Sequence, residues 1–234
     1  MSRQIAGKLL SLPVFSANGI FFWCAGFIVR FRYTFLLTSV LMAANGRRDF
    51  VGVLVWVLAS TFGVLLHELG HALAARHYGE QPVIELHAMG GVTSWQWTRS
   101  PRWTHLLVCS LAGPAIGLAF GLLLWLAQPL ILIPVYWVVL LVMDLGWVLI
   151  GWSVFNLLPI LPMDGGHALE AFLAHWIGAD RARYRTRVTS LVVASLMAAL
   201  AVSYGMMFAA VMCVLFAYNN AMALRGMPGI RITG

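Results

Sequence analysis

Charge is what this sequence has least of. Its 15 Lys and Arg and 8 Asp and Glu make up only 10% of 234 residues. A water-soluble domain of this size needs about 25% to cover its surface, so a soluble globular protein is excluded. Cysteine is nearly absent: Cys24, Cys109 and Cys213 sit in apolar stretches without paired spacing. That excludes a disulfide framework and a thiolate metal site, and leaves them as small buried residues. No internal repeat is present, and neither is a linker long enough to separate domains. The formal charge of +7 does not indicate nucleic acid, because the basic residues flank apolar runs and do not gather with aromatics on one element. The first 19 residues hold Arg3, Lys8 and only a short apolar patch. That favours an amphipathic segment at a membrane surface over a cleavable leader.

What the chain has in abundance is uninterrupted apolar sequence. Hydrophobic residues reach 61% with a mean hydropathy of +0.86. Leu106 to Ala127 and Val188 to Leu224 carry no charge at all, and about 20 apolar residues cross the hydrocarbon layer. The pattern predicts an all-α polytopic membrane bundle of six spans, near 33–46, 51–77, 105–127, 133–157, 188–203 and 206–224. The last pair turns near Ser203–Gly205. Residues 1–234 then form one integral membrane domain, with a core over about 26–167 and a C-terminal helical pair over about 188–224. This span order divides the 15 Lys and Arg unevenly, with only Arg47 and Arg48 on the minority side. Because cytoplasmic loops are enriched in Lys and Arg, both termini are expected in the cytoplasm; in a bacterium the membrane would be the inner one.

Two stretches carry the two-residue alternation of strands. Phe27, Val29, Phe31 and Tyr33 alternate with Ile28, Arg30 and Arg32, and Pro82 to Met89 is alternating and β-branched. Gly90-Gly91 then permits a tight turn or a close backbone approach before Val92 to Trp97.

The chemistry is concentrated in the second span. Between Val51 and Ala75 the only ionisable residues are His67, Glu68 and His71. Each charged or strongly polar group inside a span costs about 2.5–3.5 kcal/mol on insertion scales, so the cluster requires a function. His67 and His71 are four apart and share a helix face, which lets both imidazoles bind one tetrahedral zinc with Glu68 beside it as general base. Arg76 marks the nearby boundary and sets the metal about 8–14 Å inside it, so hydrolysis there needs a water-filled cavity. A catalytic zinc usually takes a third protein ligand. Asp164 is the best candidate: it follows Asn156 and a stretch broken by Pro159 and Pro162, and broken backbone at membrane depth lines a cavity or is buried in protein. Gly165-Gly166 would give it an adaptable backbone.

These residues resemble the site-2 protease family of intramembrane zinc metalloproteases. The resemblance rests on His67-Glu68-Leu69-Gly70-His71 and on Asn156-Leu-Leu-Pro with Met163-Asp164-Gly165, and extends to Gly90-Gly91 and Ala112-Gly113-Pro114. It implies that His67, His71 and Asp164 hold zinc and that Glu68 activates water. It further implies that Asn156 contacts the substrate backbone, and that strands around Gly90 and Gly91 pair with an unwound substrate helix. Single-span membrane proteins, regulatory ones among them, would be the substrates. Met163 stands where leucine is usual, and Gly117 where many relatives carry asparagine. The connections are too short for the PDZ or CBS domains of larger members, which is similar to the compact branch.

Other polar residues fit blander roles. Asp144, in the fourth span, is about 18 Å from Asn156 and suits a structural hydrogen bond or a gate better than metal binding. His87, His105 and His167 read as interfacial residues, and Arg181, Arg183, Arg185 and Arg187 as anchors to anionic headgroups. A transporter or metal-ion channel with a histidine-lined path is the alternative; it predicts repeated halves and several intramembrane charges, which the sequence does not offer. A non-catalytic scaffold would have no use for Glu68.

Overall fold

The computed structural model describes residues 14–16, 18–45, 48–128 and 135–230. The surface segment expected over residues 1–19 therefore lies largely outside them. Element order is β1 (Val14–Ser16), β2 (Gly19–Cys24), β3 (Phe27–Arg32), α1 (Tyr33–Asn45), α2 (Phe50–His77), β4 (Val83–His87), β5 (Gly90–Ser94), α3 (Trp103–Ala127), α4 (Tyr136–Asn156), α5 (Asp164–Ile177), α6 (Ala179–Ser203) and α7 (Met207–Leu224). The chain folds as two compact units, residues 1–98 with 115–153, and residues 99–114 with 154–234.

Five described helices, α2, α3, α4, α6 and α7, are long and apolar enough to cross a membrane. The chain is an integral, multi-pass membrane protein. The remaining expected span, 33–46, is present as a shorter apolar helix, α1. α1 has 13 residues, about 20 Å of helix, against a hydrocarbon layer of about 30 Å. Beyond it, the Arg48 guanidinium meets the Asp144 carboxylate of α4 through two hydrogen bonds of 2.5 and 2.8 Å. The same guanidinium lies over the Trp56 ring at 4.9 Å. Asp144 thus has the structural role its depth suggested.

In the first unit, five strands form one sheet in the order β1-β2-β3-β4-β5. β3 and β4 run parallel, because α1 and α2 make the crossover between them, and the other pairs are antiparallel. β2 carries no alternation, since Gly19-Ile-Phe-Phe-Trp-Cys24 is apolar throughout; its hairpin with β3 turns at Ala25-Gly26, both with positive φ. The sheet lies on α2 through Phe27, Val29, Ile84 and Leu86, packed against Val64 and Ala72. Arg76 fastens the turn by stacking its guanidinium on Phe27 at 4.2 Å. α1 is joined to α2 by the Ser39 and Ser60 hydroxyls, 2.7 Å apart.

In the second unit, α6 and α7 form a hairpin turning at Gly205, whose φ of 69° only glycine adopts readily. α6 begins at Ala179, well before the apolar span. Its arginine-rich first turns are thus helical, and Arg183 pairs with Glu170 of α5 at 3.4 Å.

Candidate metal centre

α2 owes its position to a stripe of small buried residues. Gly52, Ala59, Ser60, Gly63, Val64 and Ala72 share its buried face with His67, Glu68 and His71. This is the i, i+3, i+4 pattern of a helix packed along one side. Gly63 has no room for a side chain, because a Cβ would stand 2.6 Å from the Val148 Cγ1 of α4. Close packing there brings the polar turn into the interior: His67, Glu68 and His71 are 2%, 3% and 6% exposed.

The two imidazoles face each other with their Nε2 atoms 3.3 Å apart. Two nitrogens bonded to one tetrahedral zinc at 2.0–2.1 Å stand roughly 3.3–3.4 Å apart, so the pair is spaced for a shared metal without rearrangement. Glu68 is held from the sheet. The Thr93 hydroxyl of β5 lies 2.7 Å from the Glu68 Oε2 and 3.0 Å from its backbone carbonyl. Beside it, the Gly91 backbone approaches so closely that a Cβ would fall 2.5 Å from the Glu68 Cγ.

Gly90 and Gly91 therefore do both things their sequence allowed. Gly90 has a φ of 117° and abuts the Trp152 indole, which a Cβ would strike. Gly91 supplies the close approach to Glu68. Among the described residues β5 pairs only with β4, so its other edge is unpaired and carries backbone donors and acceptors that another strand can take. Thr93 was not legible as a site residue, since a lone threonine in a strand carries no signal of its own.

Asn156 and Asp164 belong to the second unit. Asn156 ends α4, and Asp164 is the first residue of α5. Between them the chain turns twice, with Ile160 N donating to Leu158 O and Met163 N to Ile160 O, both at 2.7 Å. Gly165 and Gly166 are not the adaptable backbone expected of them. Both are helical and buried. A Cβ on Gly165 would strike the Leu157 carbonyl, and one on Gly166 would meet the Ile160 carbonyl carbon at 2.6 Å, so the pair lets the broken segment fold onto the start of α5.

Gly117 is likewise a packing residue, pressed against the Ser153 hydroxyl so that a side chain would collide with it. The His87 Nδ1 accepts from Met89 N at 3.2 Å, and burial lowers its pKa against the opposing pull of Glu85.

No family model matches the chain. The candidate zinc metalloprotease sll0528 of Synechocystis is 31% identical over 168 residues, covering 71% of this chain and 43% of that protein. The candidate zinc metalloprotease Rip3 of Mycobacterium tuberculosis is 32% identical over 195 residues, covering 72% of this chain and 46% of that one. The chain thus spans less than half the length of these curated relatives. Among solved structures, a site-2 protease from Methanocaldococcus jannaschii shares the fold with a TM-score of 0.64 at 22% identity, covering 96% of this chain and all of that one. With its HExxH helix packed on a small sheet, the chain is similar to curated zinc metalloproteases and shares the fold of a site-2 protease.

Proposed function

We propose that this protein is a zinc-dependent endopeptidase that hydrolyses peptide bonds within the transmembrane segments of other membrane proteins. The observation that carries this reading is the buried His67–His71 pair, with Nε2 atoms 3.3 Å apart, next to a carboxylate held by a strand hydroxyl. The names of the relatives favour zinc.

In this reading His67 and His71 are two metal ligands and Asp164 the third. A carboxylate oxygen beside two imidazoles is a donor set that would suit zinc. Zinc, when bound, supplies Lewis acidity and a water acidified to a pKa of about 7. Glu68 takes the proton of the attacking water and returns it to the leaving amine; a carboxylate can serve in both directions because it starts and ends ionised. The Thr93 hydroxyl keeps one carboxylate oxygen in place and so orients the base. Substrate enters as an extended segment and pairs with the open edge of β5 along Gly90 and Gly91, while the Asn156 side chain hydrogen-bonds its backbone. Extension is required because a helix shields its own peptide bonds sterically and ties up their polar groups.

Substrates are single-span membrane proteins, regulatory ones in particular, and both termini face the cytoplasm. The uneven Lys and Arg distribution supports that orientation.

The test uses purified wild type and Glu68→Gln in detergent, each assayed for bound zinc and for cleavage of a set of single-span substrates. Wild type is expected to cleave and Glu68→Gln to bind zinc without cleaving. Cleavage that persists in Glu68→Gln refutes the protease reading. Asp164→Ala is expected to lose zinc and Asp144→Ala to keep it, and the reverse pattern overturns the ligand assignment.

A further inference from the structure

The segment between Asn156 and Asp164 creates a problem that its own residues do not solve. Pro159 and Pro162 have no N–H, and the chain is neither helix nor strand there, so its backbone groups need partners outside a regular ladder. Leu161 lies between the two prolines, three residues before Asp164. Its backbone N–H donates to the Ser190 hydroxyl of α6 at 2.9 Å, and its carbonyl accepts from the Asn220 Nδ2 of α7 at 2.8 Å. Both backbone groups of this one residue are thus met by side chains of the C-terminal hairpin.

Neither side chain is there by default. Ser190 and Asn220 are both buried. Each is locked by a second bond to its own helix: the Ser190 hydroxyl donates to Thr186 O at 2.7 Å, and Asn220 Nδ2 donates its other hydrogen to Phe216 O at 2.8 Å. The Ser190 hydroxyl has Thr186 O as its nearer acceptor and Pro159 O at 3.5 Å as a second, and its oxygen lone pair takes the Leu161 N–H. With both amide hydrogens placed, Asn220 is fixed as the donor to the Leu161 carbonyl. The two residues stand opposite each other across the hairpin, equally far from its turn at 204–206.

We infer that Ser190 and Asn220 are positioning residues for the metal centre: they clamp the Leu161 backbone so that the proline-broken segment delivers the Asp164 carboxylate in one place. The inference rests on the proposed role of Asp164 as a zinc ligand. It gives the C-terminal hairpin a duty in catalysis, although that hairpin lies outside the HExxH and Asp-Gly motifs.

Cobalt(II) provides the test, because its visible d–d bands report ligand number and geometry independently of turnover. The full chain and its variants Ser190→Ala, Asn220→Leu, Asp164→Ala and Ser195→Ala are loaded with cobalt for spectra and with zinc for kinetics. Ser195 is an exposed α6 residue bonded only to Leu191 O and serves as the control. Ser190→Ala and Asn220→Leu are expected to shift the bands toward those of Asp164→Ala. They should also lower kcat by about tenfold to a hundredfold, the scale of a 1 Å misplacement, with KM little changed. Ser195→Ala should match wild type in both. Wild-type bands and kcat in both clamp variants, with altered bands in Asp164→Ala, overturn the clamp and leave the ligand reading standing. Wild-type bands in Asp164→Ala refute the ligand reading and the clamp with it. Ser190→Ala removes a single oxygen, so it decides the question alone if Asn220→Leu does not fold.

Discussion

Two buried polar clusters lie in the membrane-embedded part of the first unit, and they are built in opposite ways. At one, the Asp144 carboxylate meets the Arg48 guanidinium through two parallel hydrogen bonds, a charge and its counter-charge. At the other, two imidazole nitrogens face each other at 3.3 Å, and the neighbouring carboxylate meets a threonine hydroxyl and glycine backbone. The first arrangement is complete in itself. The second sets like groups together, which is favourable when a cation joins them. Mid-membrane polarity alone therefore does not mark a site, and the identity of the partners does.

The contrast is broken most sharply by removing one acid from each cluster. Glu68→Gln should lower cleavage by about 10²–10⁴-fold, the usual contribution of a general base, with its unfolding midpoint in micelles near that of wild type. Asp144→Ala should do the reverse. Stranding Arg48 in a low-dielectric interior should cost about 3–5 kcal/mol of stability, read as a lower denaturation midpoint, with zinc still bound. Replacing both partners, Arg48→Met with Asp144→Leu, should recover most of that loss. If the double variant is as unstable as the single one, the pair is more than a closed ion pair.

Smaller changes sharpen the second cluster. Gly91→Ala forces a methyl into the Glu68 side chain and should lower kcat by roughly tenfold, by moving the base out of reach. Thr93→Val should lower it about fivefold, equivalent to one hydrogen bond of about 1 kcal/mol, and Thr93→Ser should restore it. The smallest effect concerns His87. Burial holds its pKa below the usual value, so the unfolded chain binds the proton more readily. Its contribution to stability is then present above about pH 6.5 and declines as the pH falls through that value. His87→Gln should flatten a melting-temperature profile over that range.

The helical membrane architecture could be read from apolar runs because the hydrocarbon layer imposes length directly on sequence. The His67-Glu68-Leu69-Gly70-His71 turn was equally legible, since three ionisable groups in one span demand a reason. β2 was not, because a strand apolar on both faces has no period to detect. α1 was legible to within a residue, Tyr33–Asn45 against 33–46, whereas the Arg48–Asp144 pair beyond it was not, because its members are 96 positions apart. Gly165 and Gly166 suggested flexibility where the fold uses their lack of bulk. Thr93, Ser190 and Asn220 stayed hidden for a common reason. Small polar residues in apolar elements gain meaning only from what they touch, and each touches a residue more than 20 positions away.

The brevity of α1 also has a consequence for the surrounding lipid. A helix of about 20 Å set in a hydrocarbon layer of about 30 Å is a negative hydrophobic mismatch. Arg48, beyond its end, is held by Asp144, so its guanidinium is not left bare in oil. A bilayer meets so short a span by thinning beside it, at a cost of fractions of a kcal/mol per Å.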